Sequence, residues 1–174
     1  DALIALRPGR LVRVDYKTGE LHEAGTLKVG YDKFMEFGLV GVAIDADFAN
    51  NPWVYAAFTV VKDSEKLAQR LSRFKWVNDQ VDSSTEQILL EYPVDKNCCH
   101  TGGDLQFGDN GELFFSTGDN TNPHDQEGSS PVDFRPDMKK NDGLRGAGNT
   151  MDLRGKVLRI KPTAEGGYEI PAGN

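Results

Sequence analysis

The sequence lacks the features that mark several common classes of protein. Its 174 residues include only two cysteines, which are adjacent and so cannot form an ordinary bridge across a fold. Lysine and arginine form no basic stripe, and the formal net charge is −7, which argues against nucleic-acid binding because phosphate neutralisation requires concentrated positive charge. No apolar run approaches the roughly 20 residues that span a bilayer. We therefore expect a globular chain without a membrane span or a nucleic-acid partner.

Common catalytic and ligand-binding motifs are also missing. The glycines near residue 110 form no GxGxxG loop between a strand and a helix, so no nucleotide site is indicated. Ser116 and Ser129 lie outside a GxSxG setting, which leaves a serine hydrolase without support. Residues 118–125 are rich in the oxygen ligands that calcium accepts, but they lack the bidentate glutamate of an EF-hand. Asx turns explain the same residues without an ion, and the metal ligands stay unassigned.

What the sequence does contain is a succession of short apolar segments separated by turns. It has 19 glycines, with 38% hydrophobic and 27% charged residues, which is typical of a turn-rich β protein. Residues 38–45 form a continuous apolar run, which predicts a strand buried on both faces. One helical turn is expected at residues 63–69. Strands are predicted at residues 10–15, 21–29, 38–45, 53–60, 69–77, 87–93, 103–107, 112–117 and 155–161, the fifth with a bulge.

A repeat in this succession predicts the architecture. A buried strand, an Asp- and Asn-rich turn and an aromatic strand occur near residue 41 and again roughly 60 residues later, as in four-stranded repeats. Four strands per unit, arranged radially, make the blades of a β-propeller, so the predicted fold class is an all-β propeller. A β-sandwich remains the alternative. The chain would cover about two to three blades, and residues 1–174 are interpreted as one partial propeller domain, a piece of a longer chain.

His100 is the strongest candidate for a chemical role among the three histidines. It follows Cys98 and Cys99 and precedes a pair of glycines at the entry to an inner strand. In a propeller such an entry faces the mouth of the central channel, where a histidine can act as a general base near neutral pH. The alternative is a histidine that only hydrogen-bonds a neighbouring loop. The two cysteines are interpreted as structural, and a vicinal disulfide between them would stiffen the turn that carries His100.

The motifs taken together resemble the soluble PQQ-dependent sugar dehydrogenases, also called glucose/sorbosone dehydrogenases. The resemblance covers most of the chain, and the motifs follow in the family's order. They are GLVGVAIDADF at residues 38–48, NPWVY at 51–55, LSRF at 71–74, HTGGDL at 100–105, GD at 118–119, LRGKVLRI at 153–160 and IPAGN at 170–174.

This resemblance implies a fold, a set of cofactors and a division of roles. The fold would be a six-bladed propeller that binds the quinone PQQ at the mouth of its channel, with calcium polarising the quinone. His100 matches the base that takes the proton from the sugar's anomeric hydroxyl, and Asp119 matches a substrate-side aspartate. Glu36 matches a cofactor-side position at which some members carry glutamine. The family's arginine cluster and its carbonyl calcium ligands belong to later blades, beyond Asn174.

The function implied by the resemblance is PQQ-dependent oxidation of an aldose to its lactone. The partners would be a sugar, an external electron acceptor and the remaining blades, and the expected location is extracellular or periplasmic. An alternative of another class is an inactive propeller that acts as a carbohydrate-binding or interaction module, since a fold does not fix a function. A lactonase-type hydrolase with a channel metal is a further alternative.

Overall fold

Three antiparallel sheets make up the chain, which a computed structural model describes at residues 1–96, 99–124 and 131–174. The first sheet contains β1 (Ala2–Ala5), β2 (Arg10–Val14) and β3 (Leu21–Thr26). The second contains β4 (Leu39–Ile44), β5 (Trp53–Val61), β6 (Leu67–Val77) and β7 (Gln80–Val94). The third contains β8 (Gly102–Phe107), β9 (Leu113–Thr117), β10 (Val157–Pro162) and β11 (Tyr168–Glu169).

Each sheet is a meander in which strands adjacent in sequence are also adjacent in space. The first strands of the second and third sheets, β4 and β8, contact each other across the interface between the sheets. Antiparallel four-stranded meanders that meet through their first strands are blades of a β-propeller. The predicted all-β propeller is thus confirmed, and the sandwich alternative is not.

The inner strands approach each other so closely that two glycines are required there. A Cβ atom on Gly41 of β4 would lie 1.8 Å from the carbonyl oxygen of Gly103 in β8. A Cβ atom on Gly103, whose φ is +133°, would lie 2.2 Å from a methyl group of Val40. Because no real Cβ atom tolerates such distances, these glycines allow the two blades to pack backbone against backbone.

Two apolar clusters fill the interfaces between neighbouring sheets, and β5 contributes to both. Trp53, Tyr55 and Ala57 face the third sheet, whereas Val54 and Ala56 face the first sheet. This alternation explains why β5 is an almost continuous apolar run. The strand predicted to be buried on both faces, β4, is only partly buried along most of its length. It is the first strand of its sheet and has a strand partner on one side only.

The second sheet extends further than the sequence pattern predicted. β7 begins at Gln80, well before the predicted strand at residues 87–93, and it continues through Pro93 to Val94. Its first half is polar and does not alternate, so it does not look like a strand. The turn before it places Asn78 and Asp79 at φ values of +50° and +62°, as a type I′ hairpin requires, without the glycine that usually marks such a turn.

Helical structure is limited to short 3₁₀ turns in the described part of the chain. They lie at Asp63–Glu65, Pro136–Asn141 and Gly143–Arg145. The first confirms the start of the helical turn predicted at residues 63–69, whose last residues already belong to β6, and the other two lie in the long polar segment before β10. No helix among the described residues is long and apolar enough to cross a membrane. The predicted bulge in β6 is confirmed by register shifts beside Ser72 and Lys75.

Arg73 links the second sheet to the third. Arg73 is only 1% exposed, and its guanidinium lies 4.4 Å from the centre of the Trp53 ring. Nε donates a hydrogen bond to Gln87 Oε1 at 2.8 Å, and Nη2 donates one to the carbonyl oxygen of Thr163, just after β10, at 2.7 Å. The buried charge is therefore stabilised by neutral acceptors and an aromatic face, which makes this contact sensitive to truncation.

We expect Arg73→Ala to lower the free energy of unfolding by about 3 kcal/mol, because it removes buried hydrogen bonds and leaves a cavity beside Trp53. Chemical denaturation of the protein measures this change. Arg10→Ala is the matched control, because Arg10 and Glu23 form an ion pair whose side chains are 54% and 56% exposed. Equal effects of the two substitutions would show that Arg73 does not link the sheets.

Candidate active site

The backbone of His100 is held in a left-handed conformation at the entry to β8. Its φ is +60°, which is uncommon for a residue other than glycine. The backbone N–H donates a hydrogen bond to Glu36 Oε2 at 2.5 Å, and the carbonyl oxygen accepts one from the backbone N–H of Asn120 at 2.9 Å. Contacts on both sides therefore fix the direction in which the His100 side chain leaves the chain.

The ring of His100 contacts the carboxylate of Asp119. His100 Nδ1 lies 3.0 Å from Asp119 Oδ1, and the two side chains are 43% and 24% exposed. Burial raises the pKa of Asp119, but hydrogen bonds from Thr121 and His100 outweigh that effect and hold the pKa below its ordinary value. Because an ionised carboxylate only accepts hydrogen bonds, Nδ1 must carry the proton, and Nε2 of the neutral ring is left as the acceptor.

Gly118 allows the two catalytic candidates to meet. It follows β9, and a Cβ atom at this position would lie only 1.8 Å from the carbonyl oxygen of His100. Its N–H donates to the carbonyl oxygen of Thr101 at 3.1 Å, so the chain leaving β9 crosses the chain entering β8 at this point. The next residue, Asp119, is thereby brought back onto the His100 ring.

Asn120 fixes this crossing from the inside. It is fully buried with φ of +56°, and its Oδ1 accepts the backbone N–H of Asp95 at 2.6 Å. The carboxylate of Asp95 in turn pairs with Arg145 at 2.6 Å and lies 3.6 Å from Arg154. The buried amide therefore joins the end of β7 to the turn that carries Asp119.

Glu36 reaches the site from the segment that joins β3 to β4. Besides the carboxylate contact to the His100 backbone, its carbonyl oxygen accepts a hydrogen bond from Thr101 Oγ1 at 3.3 Å. The structure thus brings together all three residues singled out from the sequence: His100, Asp119 and Glu36. The side-chain contact of Glu36 that it shows is with the His100 backbone, and a contact of Glu36 with a cofactor stays a prediction.

An open depression of about 520 Å³ lies beside the histidine–aspartate pair. Backbone and side chains at the ends of β9 and β10 form its other walls, including Ser116, Gly155 and Val157. The cation at its edge, Lys156, donates from Nζ to the carbonyl oxygens of Gly146, Ala147 and Arg154 at 2.8, 3.1 and 2.8 Å. This lysine therefore stabilises the loop before β10. The side chains in the depression that are suited to contact a ligand are chiefly His100 and Asp119.

The polar side chains after β9 mainly accept hydrogen bonds from backbone N–H groups. Asp119 Oδ1 accepts the N–H of Thr121 at 2.9 Å, and Asn122 Oδ1 accepts the N–H of His124 at 2.9 Å, which are the contacts of Asx turns. In the described ranges no group of three or more His, Cys, Asp or Glu side chains is arranged to hold a metal ion. Asp125, the last residue of the oxygen-rich run, lies outside the described residues.

The predicted cysteine pair is only partly within the described structure. Cys99 is not a free thiol and is largely buried beside His100. Cys98 lies outside the described residues, so the predicted vicinal disulfide stays a prediction. The other two histidines make different contacts: His22 lies on β3, 3.8 Å from Glu20, and His124 is exposed, with its backbone N–H bonded to Asn122.

Sequence reasoning missed the residues that hold the pair in place. In the sequence, Gly118 is only part of a short motif, and Asn120 is only one of several candidate calcium ligands. The signal for Asn120 is weak, since an asparagine in a polar loop ordinarily indicates a surface turn. Its burial and its bond to Asp95 depend on contacts between residues 25 positions apart.

The chain thus consists of propeller blades that carry a histidine–aspartate pair at the entry to the inner strand β8. The family model for glucose/sorbosone dehydrogenases matches residues 1–174, so the chain belongs to this family of oxidoreductases. The resemblance inferred from the motifs is therefore confirmed.

Solved structures of sugar dehydrogenases share the fold. The PQQ-bound form of an aldose sugar dehydrogenase from Streptomyces coelicolor is 26% identical with a TM-score of 0.65, and the match covers 92% of this chain and 41% of that one. A glucose dehydrogenase structure is also 26% identical with a TM-score of 0.69, and that match covers 99% of this chain and 42% of the other. The chain thus spans about two fifths of the length of these relatives.

We expect Asp119→Asn to destabilise the protein at neutral pH. The folded pKa of Asp119 is below its ordinary value, so the carboxylate stabilises the fold at pH values above that ordinary pKa, and this contribution disappears as the pH falls through the folded pKa. Thermal unfolding should give a lower midpoint for the variant at pH 7, with the gap closing in acid. Asp109→Asn, in the exposed β8–β9 turn, is the control. A gap that persists unchanged in strong acid would contradict this assignment.

Proposed function

We propose that the protein carrying this chain oxidises an aldose sugar to its lactone, with His100 as the general base. The observation that supports this most directly is the hydrogen bond between His100 Nδ1 and Asp119. It fixes one tautomer and leaves Nε2 as the proton acceptor on a partly exposed ring. Membership of the sugar dehydrogenase family favours this activity over an inactive interaction module.

His100 would accept the proton of the anomeric hydroxyl group. As the O–H bond breaks, the proton passes to Nε2 and the carbonyl of the lactone forms, while the hydrogen on the anomeric carbon leaves as a hydride. Asp119 stabilises the imidazolium that results, because its carboxylate remains ionised and hydrogen-bonded to Nδ1–H. The bound quinone would supply the acceptor for the hydride.

The proposed cofactors are PQQ, which the Streptomyces coelicolor relative binds, and calcium. His100 and Asp119 fit the base that such chemistry needs. The three cations in the loops around this pair already have partners within the chain, so they are not available to bind the carboxylates of PQQ. Arg154 pairs with Asp152, Arg145 pairs with Asp95, and Lys156 binds backbone carbonyls. We propose that the carboxylates of PQQ and the calcium ion are held mainly by residues of the remaining blades. A contact between Glu36 and the cofactor, as the resemblance implies, is the alternative to the role of Glu36 inferred below.

The proposed partners follow from the reaction. They are the sugar, an external electron acceptor that reoxidises the cofactor, and the remaining blades of the propeller, because this chain spans about two fifths of its relatives. We propose an extracellular or periplasmic location, as the resemblance implies.

We expect His100→Gln to lower kcat by about 10²- to 10⁴-fold, because glutamine cannot take up the proton. The measurement is dye reduction by the full-length protein, loaded with PQQ and calcium, across a panel of aldoses. PQQ affinity should remain close to that of the unaltered protein. His22→Gln, on β3 and away from the pair, is the matched control.

Two results would overturn the proposal. One is a His100→Gln protein that turns over an aldose as fast as the control. The other is a failure of the unaltered, PQQ-loaded protein to reduce the dye with any aldose in the panel.

A further inference from the structure

The segment between β3 and β4 carries Glu36, whose carboxylate accepts a hydrogen bond from the backbone N–H of His100. We propose that Glu36 is a positioning residue: it holds the His100 backbone in its left-handed conformation and so directs the ring into the depression. The kinetic part of this inference rests on the proposed function, whereas its structural part does not.

The first step of the argument is the conformation that has to be maintained. A histidine at φ of +60° is disfavoured by contacts of its own Cβ atom, so the surrounding structure must hold it there. Two hydrogen bonds restrain it: Asn120 N–H donates to its carbonyl oxygen at 2.9 Å, and its own N–H donates to Glu36 at 2.5 Å. Losing the second would free the peptide between Cys99 and His100 to rotate.

The second step concerns the strength of the Glu36 contact. A backbone N–H that donates to an ionised carboxylate makes a charge-assisted hydrogen bond, which is shorter and stronger than a neutral one. The backbone of Glu36 is itself tied to the same strand entry, because its carbonyl oxygen accepts the Thr101 hydroxyl at 3.3 Å. The residue therefore contacts both His100 and Thr101, the two residues that precede β8.

The third step explains how an exposed glutamate is held in place. Arg7, in the turn between β1 and β2, donates from Nη2 to the carbonyl oxygens of Asp32, Met35 and Phe37, the first at 2.9 Å and the last at 3.5 Å. The Arg7 carbonyl oxygen in turn accepts the N–H of Leu39 at 2.8 Å. The first sheet thus fixes the backbone on both sides of Glu36.

These contacts form a continuous path from the first sheet to the base. Arg7 orders the segment that carries Glu36, Glu36 holds His100, and Asp119 fixes the ring of His100. His100, at the start of the third sheet, is thus oriented by Arg7 and Glu36, which precede the second sheet in the chain. If Glu36 instead contacted the cofactor, its substitution would lower cofactor affinity. Positioning of His100 and contact with the cofactor therefore predict different experimental results.

The test uses Glu36→Ala, Glu36→Gln and the control Glu23→Ala in the full-length protein. Glu23 is an exposed glutamate on β3 that contacts Arg10. In the cofactor-free protein, NMR should show the His100 amide proton shifted strongly downfield by its short bond, and Glu36→Ala should abolish that shift. Glu36→Gln, which keeps an acceptor oxygen, should retain part of it, and Glu23→Ala should leave it unchanged.

The kinetic measurement uses the protein loaded with PQQ and calcium. Glu36→Ala should lower kcat by about tenfold to a hundredfold through misplacement of the base, with unchanged PQQ affinity. Glu36→Gln should recover most of kcat. A loss of PQQ affinity in both variants, with kcat at saturating PQQ unaltered, would overturn the positioning role and support a cofactor contact.

The spectroscopic and kinetic outcomes separate this inference from the proposed function. An unchanged His100 amide shift in Glu36→Ala would overturn the positioning role whatever the activity. If the unaltered protein oxidises no aldose but the amide shift is lost in Glu36→Ala, the proposed function fails while the positioning of His100 by Glu36 is supported.

Discussion

The site depends on a crossing of two backbone segments that leaves no room for a side chain. At Gly118 the chain leaving β9 passes so close to the carbonyl of His100 that a Cβ atom would lie 1.8 Å from it. The crossing aligns the segment entering β8 with the segment leaving β9, and hydrogen bonds between their backbones hold them together. Asp119 meets the His100 ring only because this approach is possible, and the same principle governs the packing of Gly41 against Gly103.

Polar side chains at this crossing hold its geometry and determine the tautomer of His100. Asn120 is buried and holds the crossing, whereas Asp119 is partly exposed and keeps its charge because hydrogen bonds offset the effect of burial on its pKa. The ionised carboxylate determines which nitrogen of His100 carries the proton. The geometry and the tautomer of the candidate base therefore arise from neighbouring residues of one turn, supported by Glu36 from the segment between β3 and β4.

Much of the fold was predictable, because alternating and continuous apolar runs separated by turns report strands directly. The propeller followed from the repeat and from motifs in a known order, and the same motifs singled out His100, Asp119 and Glu36. The contacts that join these three residues did not follow from the motifs. The first half of β7 was not predictable, because its polar residues do not alternate and the Asn78–Asp79 turn lacks glycine. The roles of Gly118 and Asn120 were also missed, since they depend on distances between backbones that sequence patterns do not record.

The most direct test of the account is the ring ¹⁵N NMR spectrum of His100 in the cofactor-free protein at neutral pH. The hydrogen bond to an ionised Asp119 predicts that the neutral ring carries its proton on Nδ1, the tautomer in which Nε2 can act as the base. A single tautomer of this kind would support the account. A ring that carries its proton on Nε2, or that averages over both tautomers, would contradict it, because Asp119 would then not determine the state of the base.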